Sequence, residues 1–289
     1  MEMDIHYNGM DIVQRLMAEK MIGQIPLKAL NFTTSEVKEI LSTDLPDVQT
    51  KDDKADTLYL LEDGTFLHVE YQTTFKKHDS FRFARYVLDL YNKYKDNKGF
   101  SSFLFQSVVV FAPPVNRKSV TTVFDIGAIQ YKYFPIFLNE VSNEESYIQI
   151  IDKIRLNPNV KLTNEEKMVI LYRPLFNSDK LEIEKSALLV VGDIQEMADE
   201  SEKAMITGTL FVLVKKYLSK LGQEKIWEAL VKMDIIKEKM EQRDKLFYAE
   251  LLIEAIQEGD PQRTIERLIK RGKFSKEEIE EIYRKAEDN

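Results

Sequence analysis

The sequence predicts an α/β fold, with a mixed sheet in residues 1–140 followed by a helical region in 141–289. Three observations carry this reading. β-Branched and aromatic residues cluster in short runs before residue 140, separated by Gly, Pro, Asp and Asn. After Asn139 nearly every segment has helical periodicity. Within the part before residue 140 lie a hairpin, then a helical stretch, then more strands, an order that a strictly alternating parallel sheet would not give.

The elements follow in order. DIVQRLMAEKMIGQI reads as a first helix, with Ile12, Leu16, Met17 and Ile22 as its apolar positions. SEVKEILSTDLP is strand-like, and ADTLYLL and TFLHVEYQT form two strands around a turn. A helix is expected from Asp79 to about Lys95, and then strands in SFLFQSVVVFA, SVTTVFDIG and AIQYKYFPIFL. In the last of these, Tyr131, Tyr133, Phe134 and Phe137 read as core. Thr163-Asn164-Glu165-Glu166 and Ser275-Lys276-Glu277-Glu278 match the capping box, in which hydroxyl and carboxylate satisfy each other's backbone donors. Gly222, Gly259 and Gly272 are expected to mark breaks between the last helices. The amphipathic tail suggests a surface for a homo-oligomer or another protein partner.

Bulk properties exclude several classes. The chain has 289 residues, 44% hydrophobic and 31% charged, the profile of a globular protein. No basic start followed by an apolar stretch opens it, and the run FLFQSVVVFAPPV is too short to span a bilayer. The expectation is a cytoplasmic protein with no membrane partner. Zero cysteines exclude disulfides and zinc ribbons, and His6, His68 and His78 are too few for a histidine-built metal site. The formal charge of −8 argues against coating nucleic acid along the whole chain. No phosphate-binding glycine loop, G-x-S-x-G elbow, dinucleotide fingerprint or H-E-x-x-H occurs.

The chemistry gathers in KADTLYLLEDGTFLHVEYQTT, residues 54–74. Asp and Glu are disfavoured within strands, yet Asp56 and Glu70 lie there. If Asp63-Gly64 form a two-residue loop, Thr57 opposes Glu70 and Asp56 turns to the other face. If Glu62-Asp63-Gly64 form a three-residue loop with Gly64 left-handed, Asp56 opposes Glu70. The local sequence suits both. Gln72 shares the face of Glu70 in either case, as does His68, which reads as a packing residue. Two opposed carboxylates repel unless a cation lies between them, so the second register predicts a hard divalent ion, with the Tyr71 carbonyl as a further oxygen ligand.

In these residues, with EVKEILSTDLP before them and DSFRFARYVLDLY and FQSVVVFAPP after, the first half of the chain resembles the PD-(D/E)XK nucleases. More narrowly, it resembles the Rpn-like (YhgA-like) recombination-promoting nucleases and nuclease-family transposases. The resemblance implies a nuclease-like core and a divalent-metal-dependent DNA endonuclease linked to recombination or mobile-element movement. Mg²⁺ is the favoured ion, with Ca²⁺ or Mn²⁺ as alternatives. Asp56 takes the place of the first motif acid, Glu70 of the second, and Gln72 of the lysine. Here the sequence departs from the pattern: no proline precedes Asp56, and a neutral amide stands where the ammonium would. Arg82 and Arg85, three apart on the next helix, are expected to meet phosphates, with Lys76 and Lys77 adding positive charge. Glu19 is a further acid that the resemblance brings in from the first helix. The competing expectation is a module for protein interaction or nucleic-acid binding that keeps the fold without turnover.

Overall fold

The computed structural model describes Val13, residues 16–43, 55–96 and 104–240, Gln242, Glu278, Ile279 and Ile282. Expectations at Ile12, Ser275, Gly259 and Gly272 fall outside these residues. The chain divides into compact units at Met1–Glu228 and Ala229–Asn289, whereas the sequence places its change at residue 140.

The first unit is built on a five-stranded sheet in the order β1-β2-β3-β4-β7. β1 (Val37–Leu41), β2 (Thr57–Leu61) and β3 (Phe66–Gln72) form an antiparallel meander. Helix α1 (Asp79–Tyr94) then carries the chain back, so that β4 (Phe105–Phe111) runs parallel to β3. A parallel pair needs such a crossover. β5 (Val123–Asp125) and β6 (Gln130–Lys132) make a separate two-stranded ribbon before β7 (Phe134–Phe137) closes the sheet parallel to β4. The mixed sheet expected from the sequence is therefore present.

α1 covers the face of the sheet that carries Leu58, Leu60, Phe66, Val109 and Phe111. Tyr86 and Leu90 pack at one end of this layer and Phe83 at the other. β4, with consecutive valines buried on both sides, is a central strand. The opposite face bears Tyr59 and Tyr71, which meet Tyr172 from the helices that follow. Burial pushes both the Tyr59 and Tyr71 phenols above their ordinary value, and the neighbouring tyrosines add to it.

The helical layer comprises α2 (Glu144–Leu156), α3 (Asn164–Tyr172), α4 (Lys180–Asp193), α5 (Glu200–Val214) and α6 (Lys220–Val231). α3 starts at the expected capping box, with Thr163 and Glu166 bonded reciprocally. Polar contacts tie this layer to the segment before the sheet: Asn143 Nδ2 donates to the Ala29 carbonyl, Asn164 Nδ2 to the Lys20 carbonyl, and Lys28 pairs with Glu165 at 2.7 Å. No described helix is long and apolar enough to cross a membrane.

Three local expectations are corrected. In the first helix the buried positions are Val13, Met17, Ala18 and Met21, while Leu16 and Ile22 are exposed. The i, i+4, i+8 row turns inward and the helix tightens to a 3₁₀ turn at Glu19–Met21. Phe134 is 52% exposed because it begins an edge strand, where its ring lies 4.9 Å from that of Phe32. Tyr133 and Phe137 are buried as expected. Gly222 lies in the first turn of α6 and breaks nothing. Ser219 Oγ accepts its amide, and Glu184 in turn accepts both the amide and hydroxyl of Ser219. A Cβ at Gly222 would stand 2.6 Å from Glu184 Cδ, so a larger residue there would displace the Glu184 carboxylate from Ser219.

Candidate functional site

The hairpin takes the three-residue loop. The Leu61 amide donates to the Thr65 carbonyl, the Gly64 amide to the Leu61 carbonyl, and Gly64 has φ of 84°. That φ is the left-handed conformation glycine reaches without a Cβ clash. Asp63 accepts from the Thr65 amide at 2.9 Å and from the Ser35 hydroxyl at 2.8 Å, and the Glu62 amide donates to Glu36. Those bonds hold the Asp63 carboxyl below its usual range, the Thr65 amide most strongly. The loop is thus pinned by the residues leading into β1 as well as by its own turn.

With Thr57 opposite Val69, the same register places Asp56 opposite Glu70. The Asp56 amide donates to Glu70 Oε1 at 3.1 Å, and Asp56 Oδ2 accepts the Tyr71 amide at 2.8 Å. Each acid is therefore held at the strand end by the other's neighbourhood. Glu70 is only 2% exposed, so its carboxylate requires more than one donor. His68 Nε2 lies 2.9 Å from the same Oε1, and in the tautomer with its hydrogen on Nε2 it is the second donor. No described residue hydrogen-bonds Glu70 Oε2.

Gln72, half-buried on the same face, accepts a bond from Arg82 Nη2 to its Oε1 at 3.0 Å. A guanidinium only donates, so the bonded atom must be the amide oxygen and the NH₂ group points away from Arg82. No described residue accepts from that NH₂. Arg82 also lies 3.6 Å from Asp79 Oδ1, whose other oxygen caps the Lys76 amide at 2.7 Å. Arg82 is thus engaged within the protein, paired with Asp79 and Gln72 at the start of α1. Arg85 lies half-buried over the Tyr86 ring, with 5.8 Å from its guanidinium carbon to the ring centre. Lys76 and Lys77 are exposed on the loop between β3 and α1. Glu19 is exposed on its 3₁₀ turn and makes no hydrogen bond or ion pair with either central acid.

The sequence predicts packing roles for His68 and Tyr131 and gives Ser107 no role. His68 is completely buried, with Nδ1 2.7 Å from Ser107 Oγ, which is itself 2.7 Å from the Tyr131 hydroxyl. The spacing His68-x-Glu70-x-Gln72 already places the three side chains on one face. Ser107 gave no such signal, because only the parallel register of β3 on β4 sets it opposite His68.

The oxygen-only donor set suits a hard cation. Among the described residues no group of three or more His, Cys, Asp or Glu side chains forms a metal cage. Two carboxylates match an ion such as Mg²⁺, which retains water and completes its shell with phosphate oxygens. The pair with Glu70 Oε2 unbonded fits that role.

Searches of family models, curated proteins and solved structures returned no match for this chain.

Proposed function

We propose that the chain is a divalent-metal-dependent DNA endonuclease, connected with recombination or mobile-element movement as its resemblance to the Rpn-like group suggests. The observation that supports this most is the opposed Asp56–Glu70 pair, with Gln72 on the same face, at the end of the central hairpin. Asp56, Glu70 and the Tyr71 carbonyl would hold the ion. A bound Mg²⁺ supplies Lewis-acid polarisation of the phosphodiester and makes water more acidic at neutral pH.

The protein's own groups do the rest. Glu70 and Asp56 fix where charge can be neutralised. Gln72 presents its NH₂ as a neutral donor that orients the attacking water, and Arg82 keeps that amide from flipping. In this reading Arg82 acts on Gln72, while Arg85, Lys76 and Lys77 supply positive charge for the flanking phosphates.

Nicking of supercoiled plasmid by the purified protein tests the proposal. Cleavage that needs Mg²⁺ or Mn²⁺, stops with chelator and disappears in folded Asp56→Asn and Glu70→Gln is the expected result. The neutral amide of Gln72 favours a second reading, a binding module without turnover. DNA retention with no cleavage at any metal concentration would select it.

A further inference from the structure

The face of the sheet beneath α1 is apolar except along one line. Leu58, Leu60, Phe66, Val109 and Phe111 fill most of it, yet His68, Ser107 and Tyr131 run through it to Glu70. Apolar side chains would fill that volume without the cost of desolvating three polar groups. With Glu70 ionised and His68 neutral, the line has one direction. An ionised carboxylate only accepts, so the hydrogen facing Glu70 is carried by His68 Nε2. Nδ1 is then the acceptor for the Ser107 hydroxyl, and Ser107 Oγ accepts the Tyr131 hydroxyl. Burial keeps the Tyr131 phenol protonated, with its titration pushed above the ordinary range, so it remains a donor. Every member is satisfied, and the line ends on Oε1 of the buried acid.

We infer that His68, Ser107 and Tyr131 are positioning residues that lock the Glu70 carboxylate by Oε1 and so present Oε2 to a divalent cation. This rests on the metal-site reading above. Glu70 Oε1 receives two donors, from His68 and from the Asp56 amide, while Oε2 receives none from the described residues. Rotation of the carboxylate would break both bonds. The cation therefore meets an oxygen whose orientation is fixed before binding, and its ordering cost is already met by the fold. Tyr131 extends this control to the β5–β6 ribbon, which forms a two-stranded sheet separate from the main one.

The experiment is calorimetric titration of Mn²⁺ and Mg²⁺ into the full chain, with and without an uncleaved DNA duplex, and with folding checked by circular dichroism. In His68→Asn the side-chain amide reaches the Nδ1 position only, whereas in His68→Gln it reaches the Nε2 position and can donate to Glu70. His68→Asn is expected to weaken metal binding roughly 10–100-fold, as loss of a partner behind a ligand does. His68→Gln is expected to restore most of that loss, and Tyr131→Phe to weaken binding by a smaller factor. Folded His68→Asn with wild-type affinity would overturn the relay while leaving the metal site standing. If His68→Asn does not fold, unchanged affinity in Tyr131→Phe overturns it instead. Absence of binding to the wild type in both titrations would overturn the metal-site reading, and the relay with it.

Discussion

Asp56 has two tasks, and a pair of substitutions separates them. Its carboxylate carries half of the charge at the site, and its Oδ2 also accepts the amide of Tyr71, a residue only 4% exposed. Replacing it with Asn or with Ala removes the same negative charge, so each variant loses the same repulsion from Glu70. For charges about 4 Å apart that repulsion is worth roughly 1 kcal/mol in water and about 4 kcal/mol at a protein-like dielectric. It cancels in the comparison between the two. The bond to the Tyr71 amide is one that Asn can still satisfy through its carbonyl oxygen and Ala cannot. A net hydrogen bond together with an unsatisfied buried donor puts Asp56→Asn above Asp56→Ala by about 1–2 kcal/mol. For a unit of this size that is roughly 2–8 °C in the thermal midpoint. Urea unfolding and calorimetry in chelator would measure it. Equal stability would mean that the amide finds another acceptor, and the argument that Asp56 closes the end of the hairpin would fail. Asp56→Asn is accordingly the variant for testing cleavage, because lost activity in Asp56→Ala mixes lost charge with a loosened strand end.

Further outcomes follow from the same geometry. Arg82→Met is expected to lower plasmid nicking about tenfold or more by freeing the Gln72 amide, with metal affinity near the wild-type level; undiminished nicking would remove Arg82 from the mechanism. Gly222→Ala should cost about 1 kcal/mol by pushing Glu184 off Ser219. In a Glu184→Ala background the same change should be neutral or favourable, since Ala is preferred over Gly in a helix. Additive effects in that cycle would refute the steric account. The Asp63 carboxyl, held low by the Thr65 amide and the Ser35 hydroxyl, contributes stability that is complete above the unfolded Asp value of about 3.9 and is lost as pH falls through the lower folded value. An NMR titration should show Asp63 moving up toward the ordinary value in Ser35→Ala.

The elements of the sheet were legible because β-branched runs and turn residues are local signals. The choice between the two hairpin loops was not. Asp-Gly suits either turn, and what decides is remote: Ser35 and Glu36 bind the loop only once β1 lies beside β2. The acids were legible as anomalies in strands, whereas the groups that orient them were not. His68 has the face but no local indication of a partner, and Arg82 reads from sequence as a phosphate contact because its tie to Gln72 spans a loop and a helix start. Gly222 misled for a related reason. A glycine near a helix end usually signals termination, but here a carboxylate from α4 occupies the space of its side chain.

Tyr71 explains why the helical layer belongs with the site-bearing sheet. Its amide is bound by Asp56, while its ring lies on the opposite face, bonded to Tyr172 at the end of α3. One residue thus joins the acid pair to the helices behind it. A shift of α3 would be felt at Tyr71, whose carbonyl is the expected third oxygen of the site and whose amide holds the first acid. The helices after residue 140 therefore serve as the rear support of β3. That accounts for a compact unit reaching Glu228, although the composition changes far earlier.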